Sequence, residues 1–325
     1  MIMQRRKFLL SAAVAIAAPA ICTPAWAQEY PTRPVRIIVG FAAGGASDIT
    51  ARLMGQWLSE RLGQPFIIEN RPGANTNIAA EAAITAAADG YTLLFTTVSN
   101  AVNATLYENL RFKFVRDTVP VAGIALGTYV MVVNPSVPAR TVPQLIAYTK
   151  DNLDKVSMAS AGIGSGPHVA GELFKTMTGA RMVHVPYRGD APALTDLLGG
   201  QVQLYFSALP PSIEYIRAGK LRALAVTTVT RSDALPDISS MKEFVPGYEA
   251  NQWQGLSAPR GTPNNVIDKL NKEINSGLLD PKIKARIADL GSTVFPGSPA
   301  AFGKLIAEDT EKWGKVIRAA NIKPE

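Results

Sequence analysis

The chain has 325 residues, 47% of them apolar, a formal net charge of +7, one cysteine and two histidines. That length and apolar share can bury one large core or two medium ones. A single cysteine excludes a disulfide framework, a thiolate metal site and an iron–sulfur cluster, and His168 and His184 alone make no histidine-rich metal centre.

The first thirty residues read as an export signal. Arg5, Arg6 and Lys7 form a cationic start, Phe8 to Ala20 a modest apolar stretch, and Ala25-Trp26-Ala27 places small residues where a signal peptidase reads. We expect residues 1–27 to be a signal peptide cleaved after Ala27, and the mature protein to work in the periplasm. RRKFLL resembles a twin-arginine signal, while the alanine-rich core suits general secretion equally. No apolar stretch reaches the roughly 18 residues of a membrane span. Cleavage removes the cysteine and three cations, so the formal charge falls from +7 to +4. The remaining cations form no run. They read as solvated surface rather than a nucleic-acid footprint, and they favour acidic small molecules by long-range attraction.

Short apolar runs then alternate with helical patterns. Strands are predicted at Val35–Val39, Phe66–Glu69, Thr92–Thr96, Val130–Val133, Lys155–Ala159, Met182–Val185, Val202–Phe206 and Arg222–Val226. Helices are predicted at Ile49–Leu62, closed by Gly63, at Val169–Met177 and at Ala191–Leu198. Continuous Val/Ile/Leu runs separated by helices indicate βαβ units, hence an α/β protein with two sheets. Nearer the C-terminus, Thr262-Pro263 and Ser298-Pro299 each read as an N-cap followed by Pro at the first helical position. Phe302, Leu305, Ile306, Trp313, Val316 and Ile317 follow the second pair at the spacing of one packed stripe.

Two strand–glycine–helix junctions carry the chemistry: VRIIVGFAAGGASDITAR from Val35 and VSMASAGIGSGPHVAGELF from Val156. A glycine turn opening a helix aims unpaired N–H groups and the positive end of the dipole at one point, so two of them can grip an anion from opposite sides. A dinucleotide enzyme is disfavoured, because Gly162-Ile163-Gly164-Ser165-Gly166 is followed by Pro167 where the fingerprint wants Gly, and the first loop lacks the spacing. There is no GxSxG elbow and no triad context for either histidine, which disfavours a hydrolase. No catalytic residue, cofactor or metal is expected.

Over nearly the whole mature length the chain resembles the periplasmic receptors of tripartite tricarboxylate transporters, the Bug family. YPTRPVRIIVGFAAGGASDITARL, IIENRPGANTNIAAEAAITAAADGYTLLF, SAGIGSGPHVAGELFKTMTG, VHVPYRGDAPALTDLLGGQVQLYF and WQGLSAPRGTP carry the likeness. The resemblance implies a two-lobed α/β binding protein of type II-like architecture, joined by crossover strands and closing over a carboxylate. It places residues 28–128 and 252–325 in lobe 1 and residues 129–251 in lobe 2. It also implies a monomeric receptor serving membrane transporter subunits; a sensor subunit for a signalling partner is the alternative.

The candidate ligand residues follow from that reading. Loop 1 offers Phe41, Ala43, Gly44, Gly45 and Ser47, with N–H donors between Ala43 and Ser47, while Asp48 either caps its helix or meets a ligand ammonium. Loop 2 offers Ser160, Gly164, Ser165 and His168, the last as a first-turn donor or a structural residue. Thr97 and Ser99 are hydroxyl donors, Tyr187 a flat face with a polar tip, and Arg188 either a distal carboxylate partner or a surface charge. Ser207 stands where the resemblance leads one to expect an acid, which favours a dicarboxylate or aromatic acid without an amino group. Asn75-Thr76 replaces an expected Gly-Gly, a change read as one of loop geometry.

Overall fold

The computed structural model describes residues 30–153, 155–289 and 291–324, so the expected signal segment lies outside them. The first stretch runs β1 (Val35–Val39), α1 (Ala46–Leu62), β2 (Phe66–Asn70), α2 (Asn77–Ile84), β3 (Thr92–Thr97), α3 (Val98–Leu106) and the single turn α4 (Phe114–Asp117). A long β4 (Thr118–Val133) leads to α5 (Val142–Asp151), β5 (Ser157–Ser160), α6 (Gly166–Thr178), β6 (Val183–Pro186), α7 (Asp190–Leu198), β7 (Leu204–Ala208), α8 (Leu209–Arg217) and β8 (Arg222–Val226). The chain returns through β9 (Asn251–Pro259) to α9 (Asn264–Leu279), α10 (Pro281–Asp289), β10 (Ser292–Val294) and α11 (Pro299–Ala319).

The α/β reading holds, with one difference in the sheets. Strand order is β2-β1-β3-β9-β4-β7-β5-β6, with β8 and β10 also pairing β4, so the two expected sheets are continuous through β4. Within each lobe the neighbours β2-β1-β3 and β7-β5-β6 run parallel. The N-terminal part of β4 pairs with β9, and its last five residues pair with β7 and β8. The sequence pattern marks only those last residues. Pro120, Gly123 and Gly127 disguise the rest, and the ladder absorbs two of them by shifting register at Pro120/Ala122 and Gly123/Ala125.

The crossover is held by one buried hydroxyl. Thr227 Oγ1 accepts from Tyr129 N at 3.0 Å and lies 2.6 Å from the Ala250 carbonyl, tying the outgoing and returning chains to the same point. Two of the apolar cores flank the sheet of the first lobe: Ile37, Met54, Leu58 and Leu270 pack on one side, and Ile38, Trp253, Phe302 and Trp313 on the other. The second core continues beneath the other lobe with Met131, Phe174 and Phe206, and a third lies on that lobe's far face. Ser298 caps α11 as expected, accepting from Ala301 N at 3.1 Å. At α9 the expectation is one residue out: Pro263 itself is the N-cap (ψ 138°), and Thr262 Oγ1 donates to Pro259 O instead.

Candidate functional site

Five strands end in helices that open onto one crevice, as α/β sheets place their binding sites beyond the carboxyl ends of strands. A small inner cavity of about 30 Å³ is lined from the first lobe by Phe41, Ser47, Thr97, Val98 and Ser99, and from the second by Ala161, Gly166, Pro167, Asp190 and Ala208. Tyr129 and Gln252 of the crossover strands complete its walls. Phe41 and Ala161 also line an outer cleft of about 570 Å³, with Gly73–Thr76, Tyr107, Tyr187 and Arg188 around it.

Loop 1 works differently from its sequence reading. Gly44, at φ +84°, turns the chain, and its N–H donates to Asp48 Oδ2 at 3.0 Å. Arg52 Nε also donates to that oxygen at 3.0 Å. Burial would raise the pKa of Asp48, but the Arg52 and Gly44 bonds outweigh it and hold the carboxyl below its ordinary value. Asp48 is therefore engaged within its own helix turn. Ala43 and Gly44 are exposed at the rim, whereas Gly45, the N-cap of α1, is buried. The N–H of Ala46 points at Asp190 Oδ2 (3.4 Å), and a Cβ on Gly45 would stand 3.0 Å from the same oxygen. One expected ligand donor thus faces a carboxylate of the opposite lobe.

Loop 2 rests on the two histidines. Their rings stack at 3.7 Å and 7°. His168 Nδ1 accepts from Gly164 N at 2.9 Å, which puts its proton on Nε2, 3.7 Å from Glu172. His184 Nε2 lies 2.6 Å from Ser160 Oγ, and Ser160 Oγ in turn accepts from Gly162 N. Ser165 caps α6 from a fully buried position. His168, Ser160 and Ser165 therefore shape the loop from beneath and line neither cavity, and of the two roles open to His168 the geometry favours the structural one. Gly164, at φ +76°, abuts Leu106 and Asn75 of the first lobe. Ser207 is buried and donates to Ala208 O.

Phe41, Ser47, Thr97, Ser99, Tyr187 and Arg188 are the predicted residues that do line the crevice. Thr97 Oγ1 is buried with no protein partner. Tyr187 OH donates to Asp196 at 2.7 Å, and burial, then Asp196, push its pKa up to about 12. Arg188 is exposed in the outer cleft. Asn75 and Thr76, with Ala74, all have positive φ (46°, 73° and 45°), a strained arrangement for side-chain-bearing residues. Asn103 holds it, donating to the Asn75 carbonyl at 2.6 Å.

Sequence reasoning passes over Asp190, Tyr129 and Gln252. Asp190 is 8% exposed, accepts from Tyr205 OH at 2.5 Å and has its pKa raised by burial against the opposing pull of Tyr205 and Ala46. Its signal is a third junction of the same grammar, strand–Gly189–helix, within PYRGDAPALTD. Tyr129 and Gln252 carry no motif, because their place depends on where the crossover strands run. Among the described residues no helix is long and apolar enough to cross a membrane, and no His/Cys/Asp/Glu group could hold a metal ion.

Comparison with known proteins agrees with this geometry. Protein BugT of Bordetella pertussis is 36% identical over 324 residues, 99% of each chain. The structure of R. palustris Rpa4515 with adipate matches at 36% identity and TM-score 0.89, covering 91% of this chain and all of that one. Periplasmic binding protein BugD matches at 33% identity and TM-score 0.87, over 91% of this chain and all of BugD. The model of the tripartite tricarboxylate transporter family receptor matches residues 50–322. This chain therefore belongs to the TctC receptor family of tripartite tricarboxylate transporters.

Proposed function

We propose that this protein is a periplasmic solute receptor that captures a small organic carboxylate between its lobes and delivers it to a tripartite membrane transporter, without catalysis. One observation carries the reading: helix N-termini of both lobes line one small cavity, which shares Phe41 and Ala161 with a larger cleft. Adipate in the Rpa4515 structure supports the carboxylate class. We assign residues 28–128 and 252–325 to one lobe and 129–251 to the other, the strands of β4 and β9 forming the hinge. Residues 1–27 are assigned as the export signal, and one chain acts alone.

The energy is adequate. A micromolar Kd needs about −8 kcal/mol. Hydrogen bonds to a charged group supply roughly 1.5–3 kcal/mol each, and a helix N-terminus on the order of 1. A few such bonds with apolar contact on Phe41 and Tyr187 suffice. A thermal-shift screen of organic acids is expected to raise the melting temperature, since ligand at 100 times Kd stabilises by about 2.7 kcal/mol. Product formation from any ligand, or stabilisation by no acid, would overturn the proposal.

A further inference from the structure

We propose that His168 is a proton-sensitive support for loop 2: its neutral ring holds Gly164 in the binding shape, and a second ring proton frees that glycine and weakens capture of the carboxylate. The inference rests on the receptor reading above and adds a positioning residue that regulates it from outside the crevice. Each buried imidazole serves one glycine of the loop. His168 Nδ1 accepts from Gly164 N at 2.9 Å. His184 Nε2 lies 2.6 Å from Ser160 Oγ, which accepts from Gly162 N at 3.1 Å. Both glycines face the crevice: Gly162 lines the outer cleft with Ala161 and Ile163, and a Cβ on Gly164 would strike Leu106 and Asn75 of the first lobe.

A ring nitrogen accepts only while it carries no proton. Nδ1 is the place left on His168 for a second proton, because Nε2 already holds one, 3.7 Å from Glu172. Once protonated, Nδ1 is a donor facing a donor, and the Gly164 N–H must turn away. The groups around the ring set the direction of that step. Glu172 of α6 favours the cation, while Lys175 of the same helix, 2.8 Å from Glu172, opposes it. Two imidazolium rings stacked at 3.7 Å would repel in a buried site, so the pair takes up one proton. Burial, then His168, lower the pKa of His184, so the ring on β6 is the one that stays neutral. β5 brings only the uncharged Ser160. The hydroxyls that reach α6 from elsewhere, Tyr129 at Gly166 and Tyr248 on the Ala170 carbonyl, have pKa values raised by burial and keep their protons. The new charge on His168 would attract an anion, but Glu172 beside it offsets that pull, and the loss of loop shape decides. Protonation and capture therefore oppose one another, and by linkage binding releases a proton.

The first step of the test needs no ligand. Isotope-labelled protein is taken from pH 7 to pH 5 in the NMR spectrometer, following the His168 ring nitrogens and the amides of Gly162 and Gly164. The Gly164 amide is expected to shift with the midpoint of the His168 ring and, after correction for the intrinsic pH dependence, to exchange with solvent at least about tenfold faster once the ring is charged. His168→Asn sets a non-titrating acceptor near the place of Nδ1 and should hold that amide still. The tightest acid of the thermal-shift screen should then bind about tenfold more weakly at pH 5 than at pH 7 in the parent protein. The loss should be much smaller in His168→Asn, which also reports any protonation of the acid itself. A Gly164 amide indifferent to the ring, or an equal loss of affinity in both proteins, would overturn the inference and leave the receptor reading standing. If no acid binds, the receptor reading fails while the amide titration still decides the support role. Coincidence of the two midpoints in the parent protein decides it even if the variant fails to fold.

Discussion

Gly45 faces Asp190 of the opposite lobe, and its backbone predicts that a substitution there separates binding from folding. At φ −84° and ψ 173° any residue is accommodated, yet a Cβ would stand 3.0 Å from Asp190 Oδ2. Gly45→Val is expected to leave the circular dichroism spectrum and unliganded melting temperature nearly unchanged while weakening ligand binding by about a hundredfold or more. Titration calorimetry showing wild-type affinity would remove loop 1 from the site. His184 makes a different prediction. Burial first, then the neighbouring His168, lower its pKa from 6.5 to about 3. The folded protein keeps this ring neutral while the unfolded chain takes up a proton below about 6.5. Its stabilising contribution is therefore complete above pH 6.5 and is lost progressively as pH falls toward 3. The urea midpoint should drop between pH 7 and pH 5, and His184→Gln should flatten that slope. Residue roles were legible where they follow from local grammar: Ser298 caps and Gly44 turns. They were illegible where they depend on what lies across the crevice, as with Asp190, whose partner Ala46 stands 144 residues away in sequence.

Elements were read well wherever periodicity is uninterrupted. The expected strands at Val35–Val39 and Arg222–Val226 match β1 and β8, and α1 begins three residues earlier than its apolar pattern because Gly45 rather than the first buried aliphatic residue sets its start. β4 was legible only in part, since its ladder carries glycines against bulky neighbours; a Cβ on Gly123 would strike Phe295. α11 shows a device no pattern announces. Asp309 Oδ2 accepts from the indole nitrogens of both Trp253 (2.5 Å) and Trp313 (3.1 Å), pinning the last helix to β9. Burial raises its pKa against the pull of those bonds. Asp309→Ala would leave two buried donors unsatisfied at roughly 1–3 kcal/mol each. The melting temperature is expected to fall by several degrees, with Asp309→Asn recovering part of it because an amide oxygen still accepts. Equal melting curves for all three proteins would show that the indoles find other acceptors.

At the scale of the molecule, the two-lobed architecture was read through resemblance, while the continuity of its sheet through β4 came only from the structure. Gly164 of the second lobe lies against the first, and a Cβ there would meet Leu106. Gly164→Ala is expected to act as a wedge: ligand should shrink the radius of gyration of the parent protein in small-angle scattering, and of the variant much less, with weaker binding. Equal contraction in both would place the closing surface elsewhere. The hydroxyl of Thr227, bonded to both passing chains, has a mechanical corollary. A rotation about that point keeps its bonds intact, whereas a sliding of one half past the other breaks them. The two halves can thus pivot at Thr227 but not slip past each other there, which makes this hydroxyl a fixed point of the crossover.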